Sequence, residues 1–411
     1  MARKPIKRKQ QGTFVQRAVR NSRNAVGNLL GDQSPELKTL LSIIFLMAIL
    51  GFVMVYSSSY VDSVKNTAGP FTEARSQGLG LLAGTVALVW LANLKPELTK
   101  RLGPILLVIF LGLQLLVLFT PLGRTVNGNR NWLYIGPFSL QPSEFLKIAL
   151  IMMVANMIVN QANFHQDDIK FWMPPTVLFG GIFLLVGLMS KDMGTMIVMA
   201  LILYGMFFMG GISNRLFKWI SLVALAGIPL IMMMGGSRKG RILAWLFPWQ
   251  PDPNQYNWQA DHGKWAFAAG GLFGKGLGKS EMKWSWVPEA QNDFIFAIIG
   301  EEFGLLGAVV VILMFVFMGI TLMRIARKTR DQYQRMFVYG VTFWIMAQAF
   351  INISVVLTML PVLGVNLPLI SAGGTSMVST LMALGMVLGI ERNNYHQAHP
   401  KFQVIKGGRR A

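Results

Sequence analysis

Six ionisable side chains lie within or at the rim of long apolar runs: Glu144, Lys147, Asp192, Asp293, Glu301 and Glu302. Such a group is costly in a hydrocarbon layer and by default suggests function. Asp293, in Pro288-Glu289-Ala290-Gln291-Asn292-Asp293-Phe294, stands where a polar loop turns apolar. A carboxylate there has two uses. It can cap a helix N-terminus, where the dipole favours negative charge by roughly 0.3–1 kcal/mol, or act as a general base on a headgroup at the membrane surface. Glu144 and Lys147 stand at i,i+3 and can touch on one helix face. They form either a self-neutralising pair inside a bundle or leave Lys147 as a compact cation that reaches a phosphate. Glu302 follows Asp293 by half a turn out of phase, so it is expected to face away and pair inside the bundle.

Arg124, Arg130, Arg238 and Arg241 fall in polar connections, and guanidinium groups bind phosphate bidentately, so an anionic ligand is expected beside them. Lys191-Asp192 marks a tight hairpin. Gly278-Lys279-Ser280 resembles the end of a P-loop, but Phe273 stands where that loop needs glycine. The glycines from 270 to 278 are therefore expected to make tight turns. The stretch Leu367-Pro368-Leu369-Ile370-Ser371, with Gly373-Gly374, serves either close helix packing or donation of backbone N–H groups to a ligand.

The elements that must position these residues are membrane helices. Of 411 residues, 53% are apolar and only 14% charged, against about 25% charged in soluble domains. Ten apolar runs of spanning length are expected at about 39–56, 76–94, 103–120, 142–160, 172–190, 192–210, 216–234, 293–322, 336–358 and 371–390. The fold class is an all-α polytopic membrane protein. With the N-terminus inside, the inside segments hold 25 of the 38 Lys and Arg, which places both termini in the cytoplasm. A basic tail (1–38), expected to be disordered and to lie near anionic lipid headgroups, precedes the membrane domain (39–390), and a short tail (391–411) follows. The net charge of +20 is thus mostly topology, and nucleic acid is not an expected partner. No cleavable signal peptide is apparent ahead of the first span. With no cysteine and four scattered histidines, there is no thiolate site and no histidine cluster. The longest connection, 235–292, is rich in Trp and Gly and is expected to form short helices at the outer membrane surface.

Several of these motifs in order resemble the SEDS family (shape, elongation, division and sporulation): Gln141-Pro142-Ser143-Glu144 with Lys147, Pro288-Glu289-Ala290 leading to Asp293, Gly300-Glu301-Glu302, and Leu367 to Ser371 with its glycines. The resemblance runs from the first span to Glu391. Around Asp293 and in the long basic tail it is closer to the division-type members than to the elongation type. It implies a ten-span SEDS fold and a peptidoglycan glycosyltransferase that polymerises lipid II. The implied partners are a class B penicillin-binding protein (the transpeptidase) and other cell-division proteins, in the plasma membrane at the division septum.

The family's essential loop aspartate falls on Asp293. Arg238 and Arg241 match its paired arginines before Pro248-Trp249, and Trp132 and Gln141 to Lys147 match the loop and helix after its third span. Two departures stand out. Lys191 replaces the usual Pro, and Trp258-Gln259 is followed by His262-Gly263 rather than Gln-Ser, which leaves the contacts of Gln259 open.

Extending a β-linked strand from an α-linked diphosphate donor inverts the anomeric carbon. One direct displacement needs a base near the acceptor hydroxyl and cations around the departing diphosphate. Asp293 is expected as base or acceptor-orienting group, with Arg238, Arg241, Lys147 and Arg130 around the diphosphate, and Glu144, Trp132, Gln259 and Ser371 as further substrate contacts. A divalent cation, Mg or Mn, is left open, with Asp293 as a candidate ligand. Two other classes are weighed: a lipid II flippase, which needs a polar path through the membrane, and a noncatalytic division scaffold acting through its basic tail.

Overall fold

Backbone crossing a membrane must satisfy its own hydrogen bonds, and each of the ten expected spans is helical in the computed structural model. The structure describes residues 27, 29, 31, 33–65, 72–126, 128–136, 138–160, 168–233, 236–252, 254–284 and 286–399. Most of the expected tails, 1–26 and 400–411, lies outside the described residues, as does the side chain of Arg238. In chain order the helices are α1 (Pro35–Lys65), α2 (Thr72–Ala92), α3 (Pro96–Phe119), α4 (Pro142–Asn160), α5 (Ile169–Ile182, continued by a π-helix Phe183–Met189), α6 (Met193–Met209) and α7 (Asn214–Met233). Two short helices in the long loop follow, α8 (Gly236–Leu246) and α9 (Trp258–Gly270), then α10 (Ile295–Lys328), α11 (Gln332–Val356) and α12 (Gly374–Ala398).

Seven of these, α1, α3, α4, α5 with its π-helix, α10, α11 and α12, are long and apolar enough to cross a membrane. Of these, α4, α11 and α12 are mostly buried and form the centre. The others present large apolar side chains outward, among them Phe45, Val108, Val177 and Phe317. On a soluble protein so much exposed apolar surface would be anomalous; here it faces lipid. The chain is a multi-pass membrane protein.

α2 packs along α12 through glycines spaced four apart. A Cβ on Gly80 would lie 2.6 Å from Gly374 Cα, and one on Gly385 would lie 2.7 Å from Leu88 Cα. Small residues at this spacing let membrane helices approach closely. Gly80 meets Gly374 while Leu88 meets Gly385, so the two helices run parallel, as the second and tenth spans of one bundle must.

Four details refine the expected outline. The last span starts at Gly374 and runs to Ala398, so residues 391–398 close a helix rather than open a tail. There Glu391 is buried and Arg392 donates to Asn93 Oδ1. The helical fold class holds, with one small addition: β1 (Gly123–Val126), β2 (Asn129–Ile135) and β3 (Phe138–Leu140) form a three-stranded antiparallel sheet between α3 and α4. Its sequence signal was the Asn127-Gly128 pair before an alternating run, a two-residue hairpin signature; Val126 pairs with Asn129 and Gly128 has φ +82°. Third, Asp293 precedes the eighth span, which begins at Ile295.

Fourth, that span is broken. At Gly304, φ +70° and ψ −168° interrupt α10, a conformation essentially confined to glycine. The freed backbone is satisfied by the loop after α9: Lys275 N donates to Glu301 O, Gly276 N to Glu302 O, and Leu305 N to Gly271 O. A Cβ at Gly304 would sit 2.4 Å from Gly274 N. Gly304→Ala is therefore expected to cost at least about 1–3 kcal/mol and to loosen the 271–276 loop. A lowered melting temperature with faster proteolysis of that loop would show it, and an unchanged protein would refute it.

Candidate active site

The segment carrying Asp293 is suspended from three directions. From α9, Gln259 Nε2 donates to Pro288 O (2.7 Å) and the Trp258 indole donates to Trp286 O (2.9 Å). His262 is buried with its ring 4.0 Å from that of Trp258, and Gly263 leaves room for the buried Phe294 ring, which a Cβ would meet at 2.8 Å. The two departures from the family pattern at 262 and 263 thus pack the loop. From the segment before α12, Ser371 Oγ donates to Asn292 O (2.6 Å) and Ala372 N donates to Gln291 O (2.8 Å). From α11, the buried Asn352 amide donates to both Asp293 O (2.8 Å) and Val365 O (2.7 Å). Glu289, at φ +54°, turns the chain, and the Asn292 amide donates to its carboxylate.

Asp293 does not cap α10. The N-cap is Phe294, without a side-chain cap bond, and the Asp293 carboxylate has no hydrogen bond or ion pair among the described residues. Its Oδ2 lies against Gly364, a residue at φ +71°. Burial, reinforced by the negative charges of Glu289 and Asp192 and opposed by the Arg241 guanidinium, pushes its pKa up from 3.8 to about 7. A base acts only when deprotonated. If Asp293 is one, turnover should fall about tenfold per pH unit below 7 and level off above 8. A rate flat across that range would remove Asp293 from the proton transfer.

Asp192 is buried beside the same cleft, accepting from Asn131 Nδ2 (2.6 Å), Gln141 Nε2 (3.1 Å) and Thr195 N (3.1 Å). Its neighbour Gly194 lies against the carbonyls of Leu363 and Gly364, which joins this hairpin to the floor under Asp293. Arg241 reaches the cleft from α8, which is tied to the end of α11 by the Trp245 indole donating to Thr358 O. Of the paired arginines, Arg241 alone is described with its side chain.

Arg130 is elsewhere. Its Nε donates to Val117 O and its Nη2 to Thr120 O, both at 2.9 Å, so it caps the end of α3. Trp132 stands opposite Arg124 in the β1–β2 ladder. Lys147 is 1% exposed, 2.8 Å from Glu144 Oε1, 3.1 Å from Gln348 Oε1, and over the Trp344 ring. The geometry matches the neutralising pair, and Ser379 Oγ completes it with a bond to Glu144 Oε2.

Glu302 pairs inside the bundle as expected, bonded to Ser57 Oγ (2.7 Å) and Lys283 Nζ (3.2 Å). Glu301 instead gathers the long loop, accepting from Lys275 Nζ, Ser280 Oγ, and the backbone N–H groups of Glu281 and Met282. The turn glycines 271, 274, 276 and 278 all have positive φ.

Amides were the residues missed. Gln348 and Asn352, one turn apart on α11, and Gln77 on α2, which bonds Ser371 O and Gly373 N, organise the segments around Asp293. A buried amide must be satisfied just as a charge must, so polar amides inside apolar runs were the available signal. Among the described residues no group of three or more carboxylates and imidazoles converges to hold a metal ion. Asp293 is thus a donor without a complete set around it.

This fold and cleft define a class: a polytopic membrane protein with a half-buried carboxylate, unpaired among the described residues, where its helices meet the loops. The model of the FtsW, RodA and SpoVE cell cycle proteins matches residues 38–396, and the chain belongs to that family. It is 33% identical over 371 residues to the probable peptidoglycan glycosyltransferase FtsW of Mycobacterium tuberculosis, covering 90% of this chain and 70% of that one. To the protein of the same description from Nitrosococcus halophilus it is 35% identical, covering 90% and 95%. To stage V sporulation protein E of Bacillus subtilis it is 34% identical, covering 87% and 97%. Among solved structures, the rod shape determining protein RodA of Thermus thermophilus shares the fold with a TM-score of 0.64 at 24% identity, covering 87% and 96%. A chain from a peptidoglycan synthase complex that coordinates polymerization and crosslinking does so at 0.70 and 24%, covering 87% and 97%.

Proposed function

We propose that this chain is a peptidoglycan glycosyltransferase that polymerises lipid II into glycan strands, with Asp293 as its general base. The single observation that carries the role of Asp293 is a half-buried carboxylate with no hydrogen bond or ion pair among the described residues, poised near neutrality, on a backbone bonded from three sides. The acceptor sugar hydroxyl attacks the anomeric carbon of the donor, and Asp293 takes the hydroxyl proton. The bond from that carbon to the diphosphate oxygen breaks, and the electron pair leaves with undecaprenyl diphosphate. Arg241, already within electrostatic reach of Asp293, stabilises the departing charge, with Arg238 three residues earlier on α8 as its companion. Gln259, Ser371 and Asn352 act by positioning the backbone of 288–293. A divalent cation, if used, would have Asp293 as a donor and would add charge stabilisation at the diphosphate.

The partner is a class B penicillin-binding protein, a reading supported by the fold shared with a chain of a polymerising and crosslinking complex. Basic inside segments support cytoplasmic termini, and likeness to FtsW supports a septal location. The test is lipid II supplied to the purified chain with its transpeptidase. Glycan strands and free undecaprenyl diphosphate should appear together. Headgroup translocation in liposomes without strand formation would make it a flippase instead.

A further inference from the structure

The helices that bring Asp192, Asp293 and Asn352 to the cleft, α6, α10 and α11, have their other ends around a separate cavity of about 390 Å³. It is lined by Met209, Gly210 and Gly211 after α6, by Arg327 in the last turn of α10, and by Gln332, Arg335, Met336 and Tyr339 at the start of α11. Neither guanidinium has a carboxylate partner among the described residues. Nearby Lys328 is taken by Glu36, and Asp331 Oδ1 accepts from Gln334 N. Tyr339, only 7% exposed, lines the cavity too, and its hydroxyl has no hydrogen-bond partner among the described residues. Two arginines without a carboxylate partner among the described residues and a tyrosine line one space, with Met209 and Met336 supplying an apolar wall.

We propose that this cavity binds the phosphate of an anionic glycerophospholipid in the leaflet opposite Asp293. Two guanidinium forks and a phenol match phosphodiester oxygens. The apolar wall at the ends of membrane helices suits the start of acyl chains better than a soluble anion. By the distribution of basic residues this is the cytoplasmic face, where anionic lipid concentrates positive side chains. The lipid would pin the ends of the three helices whose far ends hold the Asp293 cleft.

The test is native mass spectrometry of the detergent-purified full chain, offered equal phosphatidylglycerol and phosphatidylcholine. The parent should retain phosphatidylglycerol in preference, and R327Q/R335Q should lose that preference by about tenfold. Y339F should lose part of it, and Arg330→Gln, an exposed neighbour outside the lining, should keep it. Should the double variant fail to fold, R335Q and Y339F, read by the same ratio, carry the test. An unchanged ratio in the cavity variants overturns the proposal. So does displacement by millimolar inorganic phosphate without any preference among lipids, which would make the ligand a soluble phosphate.

Discussion

Asp293→Asn is expected to lower strand polymerisation from lipid II by at least about 10²-fold while leaving the fold intact. The substitution keeps the shape of the side chain and removes only its ability to accept a proton. The carboxylate has no hydrogen bond or ion pair among the described residues, so no bond to them is lost. Stability should move the other way. A carboxyl whose folded pKa is raised to about 7 opposes folding when it ionises, because burial and the charges of Glu289 and Asp192 disfavour the anion. That penalty is absent below the unfolded pKa of 3.8, grows as pH rises from there to about 7, and is constant above. The asparagine variant should therefore match its parent in thermal stability only below about pH 3.8, exceed it increasingly between there and pH 7, and hold a constant margin above. Polymerisation within a few-fold of the parent would exclude Asp293 as the base. A variant that is inactive because it is unfolded would contradict the structural argument.

Lys147→Met should be the most destabilising single change considered, by about 3–5 kcal/mol, because it strands the Glu144 carboxylate in the centre of the bundle. E144Q/K147M, which removes both charges, should recover most of that loss. The damage should also reach the cleft. Lys147 holds Gln348, Gln348 donates to Asn366 O, and Asn352, one turn further along α11, holds Asp293 O. Unfolding in detergent for the two single variants and the double variant gives the coupling directly, and a nearly additive cycle would mean that the pair does not act as one unit. Polymerisation by the folded double variant then separates the two readings of Lys147. Activity would make the pair structural and exclude the ammonium from the diphosphate.

Much of this was legible locally. Long apolar runs have one way to satisfy their backbone in lipid, so the positions of the helices followed from hydropathy. Asp293 drew attention because a carboxylate at that boundary is costly unless used. The i,i+3 spacing of Glu144 and Lys147 foretold their contact, and the half-turn offset foretold that Glu302 would turn inward. The break at Gly304 was not legible, because Phe303-Gly304-Leu305 reads as uninterrupted helix until the 271–276 loop offers its backbone as a replacement. Arg130 was assigned to a phosphate by residue type, whereas the hairpin it stands on delivers it to the carbonyls ending α3.

By itself the sequence determined which segments enter the membrane, which charges would be costly there, and where glycine lets the backbone turn, since each depends on residues within a few turns of one another. Only the tertiary structure decided which partner each polar group meets. Asn352 reaches Asp293 across 59 residues, Ser371 reaches Asn292 across 79, and Glu302 reaches Ser57 across 245. A buried donor or acceptor must be satisfied by whatever the packing brings within 3 Å, and Asp293 is distinguished because the packing brings its half-buried carboxylate no partner among the described residues.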